Sequence, residues 1–162
     1  MKTIICILSL LQLQLIAQKK FKVELEFKYK QPYCGSAKPT AEQQAAADTE
    51  RPLDKQTFYV YLDNKCVDTL LTNDSGKVVI KYLPGTYYLF EPWKILKKTP
   101  DASPITDFHK ACLVKEWAKP NYKLTIKEDD FTLDYYEISA SRCSNQLACL
   151  KVRHLPKLIK RQ

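Results

Sequence analysis

Only three glycines and two histidines occur in the 162 residues, and both shortages exclude chemistry. A phosphate-cradling loop needs several glycines in close order so that backbone N–H groups reach the ligand. Gly35, Gly76 and Gly85 offer no such loop. His109 and His154 stand in no Ser-His-Asp arrangement and beside no nucleophile signature, so neither hydroxyl nor thiol catalysis has local support. A structural zinc site wants paired ligands of the Cys-x-x-Cys kind. No such pair is present, and His109 precedes Cys112 with no second pair to complete a site. Glu128, Asp129 and Asp130 are adjacent, so neighbours in an extended chain point to opposite faces. They read as a solvated turn in preference to a weak Ca²⁺ site. No catalytic residue, cofactor or metal ligand is therefore assigned.

A long hydrophobic run is also lacking. The apolar stretch that begins at Ile4 is interrupted by Gln12 and Gln14 and falls short of the ~20 residues a spanning helix requires. Lys2, the apolar core Ile4–Leu11 and the small residue Ala17 have the layout of a secretory signal cut before Gln18. Residues 1–17 are expected to be removed, 18–155 to form a single domain, and 156–162 to be a basic tail. No transmembrane span remains after that cleavage. The formal charge of +8 falls to +7, because the segment holds one Lys and no acid. Lys151, Arg153, His154, Lys157, Lys160 and Arg161 form a modest basic cluster. No recognition-helix or RNA-binding signature accompanies it, so nucleic acid is not an expected partner.

Without Cys6, five cysteines remain: Cys34, Cys66, Cys112, Cys143 and Cys149. In an oxidising compartment most would pair, and spacing alone leaves the connectivity open. Cys143 with Cys149, across a short polar loop, is the favoured local pair. Cys34 with Cys112 is the second choice, and Cys66 is left as a buried thiol.

What is abundant is strand pattern. Phe21, Val23, Leu25, Phe27 and Tyr29 alternate with Lys22, Glu24, Glu26 and Lys28, which predicts one half-buried strand. Thr40 with Gln43 fits a capping box for a short helix over Ala41–Ala47, and Asp48–Pro52 reads as loop. Strands follow at Thr57–Leu62 and Cys66–Thr72, joined through Asp63-Asn64-Lys65. Asn73-Asp74-Ser75-Gly76 is a turn, Val78–Tyr82 a strand, Leu83-Pro84-Gly85 a second turn, and Thr86–Phe90 the returning strand. The prolines at 92, 100 and 104 predict an irregular excursion, then a helix from Phe108 to about Trp117 capped by Asp107. Strands at Tyr122–Ile126, Phe131–Ser139 and Leu150–His154 complete the chain. The expected fold is mainly β: an antiparallel β-sandwich of about seven strands with one or two short helices. No internal repeat or low-complexity segment is present.

The pattern Thr72-x-Asp74-x-Gly76, a strand, then Leu83-Pro84-Gly85-x-Tyr87 resembles the carboxypeptidase-regulatory-like and Cna-B-type family of prealbumin-like β-sandwiches. Gln31–Thr40 and the Ala17-Gln18 junction resemble segments of small exported proteins of Bacteroidetes-type bacteria. The resemblance implies the fold and is nearly silent on activity. Some Cna-B members form a Lys–Asn isopeptide bond. That chemistry is not carried over, because Lys22 and Lys28 fall on the face opposite the aromatic core and the final strand offers no Asn.

Aromatic residues are the remaining candidates. Tyr59, Tyr61, Tyr82, Tyr87 and Phe90 are expected to fill the core and its rim. Tyr88, Trp93 and Trp117 form a possible aromatic binding surface. The functional expectation is an exported, non-enzymatic binding or accessory protein of the bacterial envelope, located in the periplasm, the cell envelope or outside the cell. Its partner would be an unknown protein or glycan of that envelope. The alternative is a small secreted hydrolase or a disulfide-containing inhibitor.

Overall fold

The alternation from Phe21 to Tyr29 is kept in three dimensions, but the strand changes partner halfway. A computed structural model describes residues 19–100, 108–136, 138–143 and 147–151. In it β1 (Phe21–Glu26) pairs antiparallel with β6 (Lys77–Tyr82), and β2 (Lys28–Lys30) pairs with β3 (Glu50–Pro52). The switch occurs at buried Phe27. Its N–H donates to the carbonyl of Gly76 (2.8 Å), and its carbonyl accepts from Leu53 N–H (2.9 Å). The single strand expected over 21–29 is therefore two, and part of the expected 48–52 loop is a strand.

The main sheet has five strands in the order β5-β4-β7-β8-β9, comprising β4 (Thr57–Leu62), β5 (Lys65–Leu71), β7 (Gly85–Phe90), β8 (Tyr122–Ile126) and β9 (Phe131–Tyr135). Every neighbouring pair is antiparallel. The Asp63-Asn64 hairpin joining β4 to β5 has positive φ at both residues (48° and 63°), as a two-residue turn matched to strand twist demands. Two turns work differently from expectation. The strand after Leu83-Pro84-Gly85 does not return beside β6: β6 pairs with β1, while β7 lies between β4 and β8. The turn at 73–76 likewise carries the chain from the five-stranded sheet to the two-stranded one. Turn chemistry reverses the chain; it does not choose the sheet.

Thr72–Gly76 shows why those residues stand there. Buried Thr72 donates through Oγ1 to Leu53 O and accepts from Gln56 N–H. Asn73 Oδ1 accepts from the N–H groups of Ser75 (3.0 Å) and Lys77 (2.8 Å). Gly76 sits at φ +73°, with the Phe27 carbonyl only 2.4 Å from where a Cβ would lie. Glycine is required there by both conformation and space.

The β1–β6 sheet and the five-stranded sheet feed one core. Val23, Leu25 and Ile80 from the two-stranded sheet meet Phe58, Val60, Leu89 and Leu124 from the five-stranded sheet in a single cluster. At its centre the rings of Phe27, Phe58 and Tyr122 pack with centroids 4.9–5.4 Å apart, Tyr122 edge-on to both others.

The described residues hold nine strands and three α-helices, against about seven strands and one or two helices expected. Helix α1 (Ala41–Asp48) starts on the predicted capping box, with Gln43 N–H on Thr40 Oγ1 and Thr40 N–H on Gln43 Oε1. Helix α2 (Pro92–Ile95) occupies the stretch expected to be irregular. Helix α3 (Lys110–Trp117) begins two residues later than predicted, after His109, which makes no side-chain cap bond. Asp107, the expected cap, lies outside the described residues. Strand β9 stops at Tyr135 because Ile138 turns into the core and Ser139–Ser141 forms a 3₁₀ turn. Of the expected last strand, Leu150 makes a single bridge to Phe108. Lys151 beside it is exposed and not in a strand; residues 152–154, the signal segment and the basic tail lie outside the described residues. No described helix is long and apolar enough to cross a membrane.

The two disulfides are Cys34–Cys143 and Cys112–Cys149. The expected pairs Cys143–Cys149 and Cys34–Cys112 are thus corrected. Cys149 belongs to α3, because the His109 N–H donates to its carbonyl (2.9 Å) and sets residues 147–150 against the helix start. Cys143 follows the 3₁₀ turn toward the loop after β2, where Gln31 Nε2 donates to Arg142 O. Cys66 is free and exposed on β5, an edge strand, and is not a buried thiol. The two disulfides point to an oxidising, exported environment.

Candidate functional site

Alternation along β7 places Tyr87 and Leu89 in the core and Tyr88 on the opposite face of the five-stranded sheet. On that side α2 packs against β4 and α3. Between these helices, the sheet and the segment tied by Cys149 lies a groove of about 760 Å³.

Next to it, sharing Lys94, Glu116, Arg142 and Ala148 with it, is a small cavity lined by a buried polar network at the ends of β7 and β8. Asn121 precedes β8 and is 1% exposed; Glu91 follows β7 and is 3% exposed. Asn121 N–H donates to Leu89 O (2.7 Å), and Asn121 Oδ1 accepts from Glu91 N–H (2.8 Å), so its side chain extends the β7–β8 ladder where the backbone stops. The Asn121 carbonyl accepts from Tyr136 N–H and holds the end of β9 as well. Glu91 Oε2 accepts from Trp93 Nε1 (2.7 Å) and Asn121 Nδ2 (3.1 Å). A buried carboxylate persists only when its lone pairs are met in this way.

Lys94 is also buried. Its Nζ donates to Lys119 O (2.8 Å) and lies 5.4 Å from the centre of the Trp93 ring. Burial pushes the Lys94 ammonium below its ordinary value, with Glu91 and Glu116 opposing. The same cause lowers the Arg142 guanidinium, and Glu116 again opposes. Glu116 pairs with Lys119 one turn along from α3. Lys94, Glu116 and Arg142 line both the groove and the adjoining cavity of about 20 Å³, the size of one water molecule. The Cys112–Cys149 bond fixes one wall, since Ala148 and Cys149 line the groove.

The three aromatic candidates part company here. Tyr88 is 38% exposed and lines the groove. Trp93 lines the small adjoining cavity and not the groove, its indole committed to Glu91. Trp117 is half-buried and donates from Nε1 to Lys98 O (2.8 Å), away from the groove lining. They are not one platform. The groove's second exposed tyrosine is Tyr136, 55% exposed. Sequence reading missed it because the strand was drawn through it to Ser139. Glu91, Lys94 and Asn121 were missed too: Glu91 and Asn121 each stand beside a proline at a strand end and Lys94 lies in a helix of one turn, with no period to mark any of them as buried. Of the expected core tyrosines, Tyr87 is buried, and Tyr59, Tyr61 and Tyr82 are half-buried.

The other candidates lie elsewhere. His109 is exposed at the start of α3. Glu128, Asp129 and Asp130 are exposed in the β8–β9 hairpin, where Asp130 O accepts from Lys127 N–H. Among the described residues, no three His, Cys, Asp or Glu side chains converge as a metal set. His154 lies outside the described residues. Comparison with protein-family models, with characterised proteins and with solved structures returns no match.

Proposed function

We propose that this is an exported, non-enzymatic binding or accessory protein of the bacterial envelope, and that the groove beside Tyr88 of β7 is its binding site. The observation that carries the reading is the groove itself. It is a concavity of about 760 Å³, within the usual size range of ligand sites. It adjoins a hydrogen-bonded network of Glu91, Asn121 and Trp93, and one wall is tied by a disulfide. Such bracing favours preorganised recognition, because little side-chain freedom is left to lose on binding. Export is supported by the signal-like residues 1–17 and by the two disulfides. A prealbumin-like sandwich is supported by the Thr72–Tyr87 turns, each of which passes the chain between two sheets that share one core.

Capture from solubilised envelope tests the proposal. Immobilised mature protein is compared with the Tyr88→Ala/Tyr136→Ala variant, the fold of each being checked by circular dichroism. The expected result is a component, identified by mass spectrometry or glycan analysis, that the parent retains and the variant loses. Equal retention by a folded variant removes the groove from its role.

A further inference from the structure

We infer that β9 is the edge through which two copies of this chain associate, pairing antiparallel about Leu133 into one continuous sheet. The association goes beyond the role of the groove and does not depend on it.

The edge is open, and apolar on its core side. Lys127 N–H donates to Asp130 O, and Tyr136 N–H donates to Asn121 O. Alternate residues of an antiparallel strand turn their backbone groups to the same neighbour. Asp130, Thr132, Asp134 and Tyr136 therefore face β8, and Phe131, Leu133 and Tyr135 turn theirs outward. Of the outward groups, Phe131 N–H is taken by Asp130 Oδ1 (2.7 Å). Phe131, Leu133 and Tyr135 stand opposite buried Ile126, Leu124 and Tyr122, so their side chains share the core face. Phe131 is nevertheless 40% and Tyr135 53% exposed, whereas Val23 and Leu25, the core residues of β1, are 5% and 1% exposed. Among the described residues, the core face runs out uncovered at β9.

The opposite edge of the same sheet is blunted. Along β5 the register against β4 shifts at Val67, and charged Lys65 and Asp68 flank the shift. A bulge and charges of this kind discourage strand addition. The register of β9 is unbroken from Tyr135 to Phe131.

Self-complementarity selects a second copy. The edge needs an antiparallel strand that is apolar at alternate positions, and β9 is one. With a two-fold axis at Leu133, Phe131 meets Tyr135 of the second copy, Leu133 meets Leu133, and Thr132 meets Asp134. Aromatic pairs in such positions stabilise a sheet, and no like charges stand opposite each other. Leu133 exchanges both its backbone bonds with its counterpart, and Tyr135 N–H donates to Phe131 O at each end. Charge at the two ends agrees. Exposed Glu128 and Asp129 lie in the turn at one end of β9, and exposed Lys30 lines a hollow beside Tyr135 at the other. None of the three is in an ion pair among the described residues. Antiparallel pairing brings the acidic turn of each copy toward Lys30 of the other.

Sedimentation velocity of the disulfide-intact mature protein, at up to roughly 100 µM, tests this. A dimer that dissociates on dilution is expected, because a ladder of five residues is a small interface. Phe131→Lys sets a charge on the core side of the edge. It should weaken the dimer roughly tenfold or more while circular dichroism is unchanged. Cross-linking in a Cys66→Ser background reads the register. Thr132→Cys mixed with Asp134→Cys should give a disulfide-linked dimer, since directly opposed residues lie within bridging distance. Neither variant alone should do so, and this arm holds even if Phe131→Lys does not fold. A parent that stays monomeric overturns the inference, and so does a mixture that fails to cross-link. A dimer that survives in folded Phe131→Lys, or is trapped only through Cys66, places the contact on β5 and overturns it too. A monomer that binds an envelope protein through Phe131 gives the edge to a foreign strand, against the second copy. The Tyr88→Ala/Tyr136→Ala capture experiment judges the groove separately in every case.

Discussion

Tyr122 carries a buried hydroxyl with no hydrogen-bond partner among the described residues, while its ring packs edge-on against Phe27 and Phe58. Stranding a buried polar group costs about 1–3 kcal/mol. Tyr122→Phe keeps the ring contacts and deletes the stranded oxygen, so it should raise the unfolding free energy by about 1 kcal/mol in urea titration; a loss of stability would reveal a bond that this account omits. Glu91 is the opposite case. Its carboxylate satisfies both Trp93 Nε1 and Asn121 Nδ2, so Glu91→Ala leaves two buried donors and a void. A loss of about 3 kcal/mol or more is expected from breaking such a network, and a change below about 1 kcal/mol would mean the network is not closed. Neither residue could be told from its exposed equivalents in the sequence. A tyrosine in an alternating strand is placed by its parity, but whether its hydroxyl finds a partner depends on residues far along the chain.

Elements were legible wherever their cause is local. The α1 capping box, the Asp63-Asn64 hairpin and the alternation of β1, β4 and β8 each depend on residues within a few positions of one another. Partner choice was not legible. The β6 strand joins β1 across more than fifty residues, and nothing in Leu83-Pro84-Gly85 says whether the next strand pairs beside the last or crosses to the other sheet. Phe27 illustrates both sides of this: its inward parity was readable, but the partner switch at that residue depends on the Gly76 carbonyl reaching its N–H. Gly76→Ala is therefore an element-scale test. A Cβ at φ +73° would meet the Phe27 carbonyl, loosening β1–β6 and β2–β3 together. The expected cost is about 2 kcal/mol, with the left-handed strain alone contributing about 1. Faster amide exchange at both Phe27 and Leu53 should accompany it. A variant as stable as the parent would contradict the clasp.

For the whole molecule, the disulfides and the buried phenols set the conditions under which it stays folded. Cys34–Cys143 links residues 109 positions apart, and Cys112–Cys149 links residues 37 apart. Pairings of such range arise from the finished fold, which is why spacing favoured the wrong partners. Burial raises the Tyr82, Tyr87 and Tyr122 hydroxyls above their ordinary value of 10.0, Tyr82 further through its bond to Asp68. The folded chain then keeps protons that the unfolded chain releases, so stability is intact below about pH 10 and falls as pH rises beyond it. Lys94 acts in the other direction, its burial penalty being relieved as pH approaches 10.5, but three phenols outweigh one amine. Phenolate absorbance should show these tyrosines titrating only together with loss of circular dichroism; complete titration of a still-folded chain would contradict their burial. The groove is a whole-molecule feature too, assembled from β7, α2, α3, the turn before β8, Tyr136 after β9 and the segment held by Cys149. Hydrogen exchange with and without the envelope component eluted from the capture experiment tests it most directly. The account predicts slowed exchange in 92–98, 117–119 and 148–151 with β5 and β6 unchanged, whereas protection confined to β5 or to the β1–β6 face would contradict it.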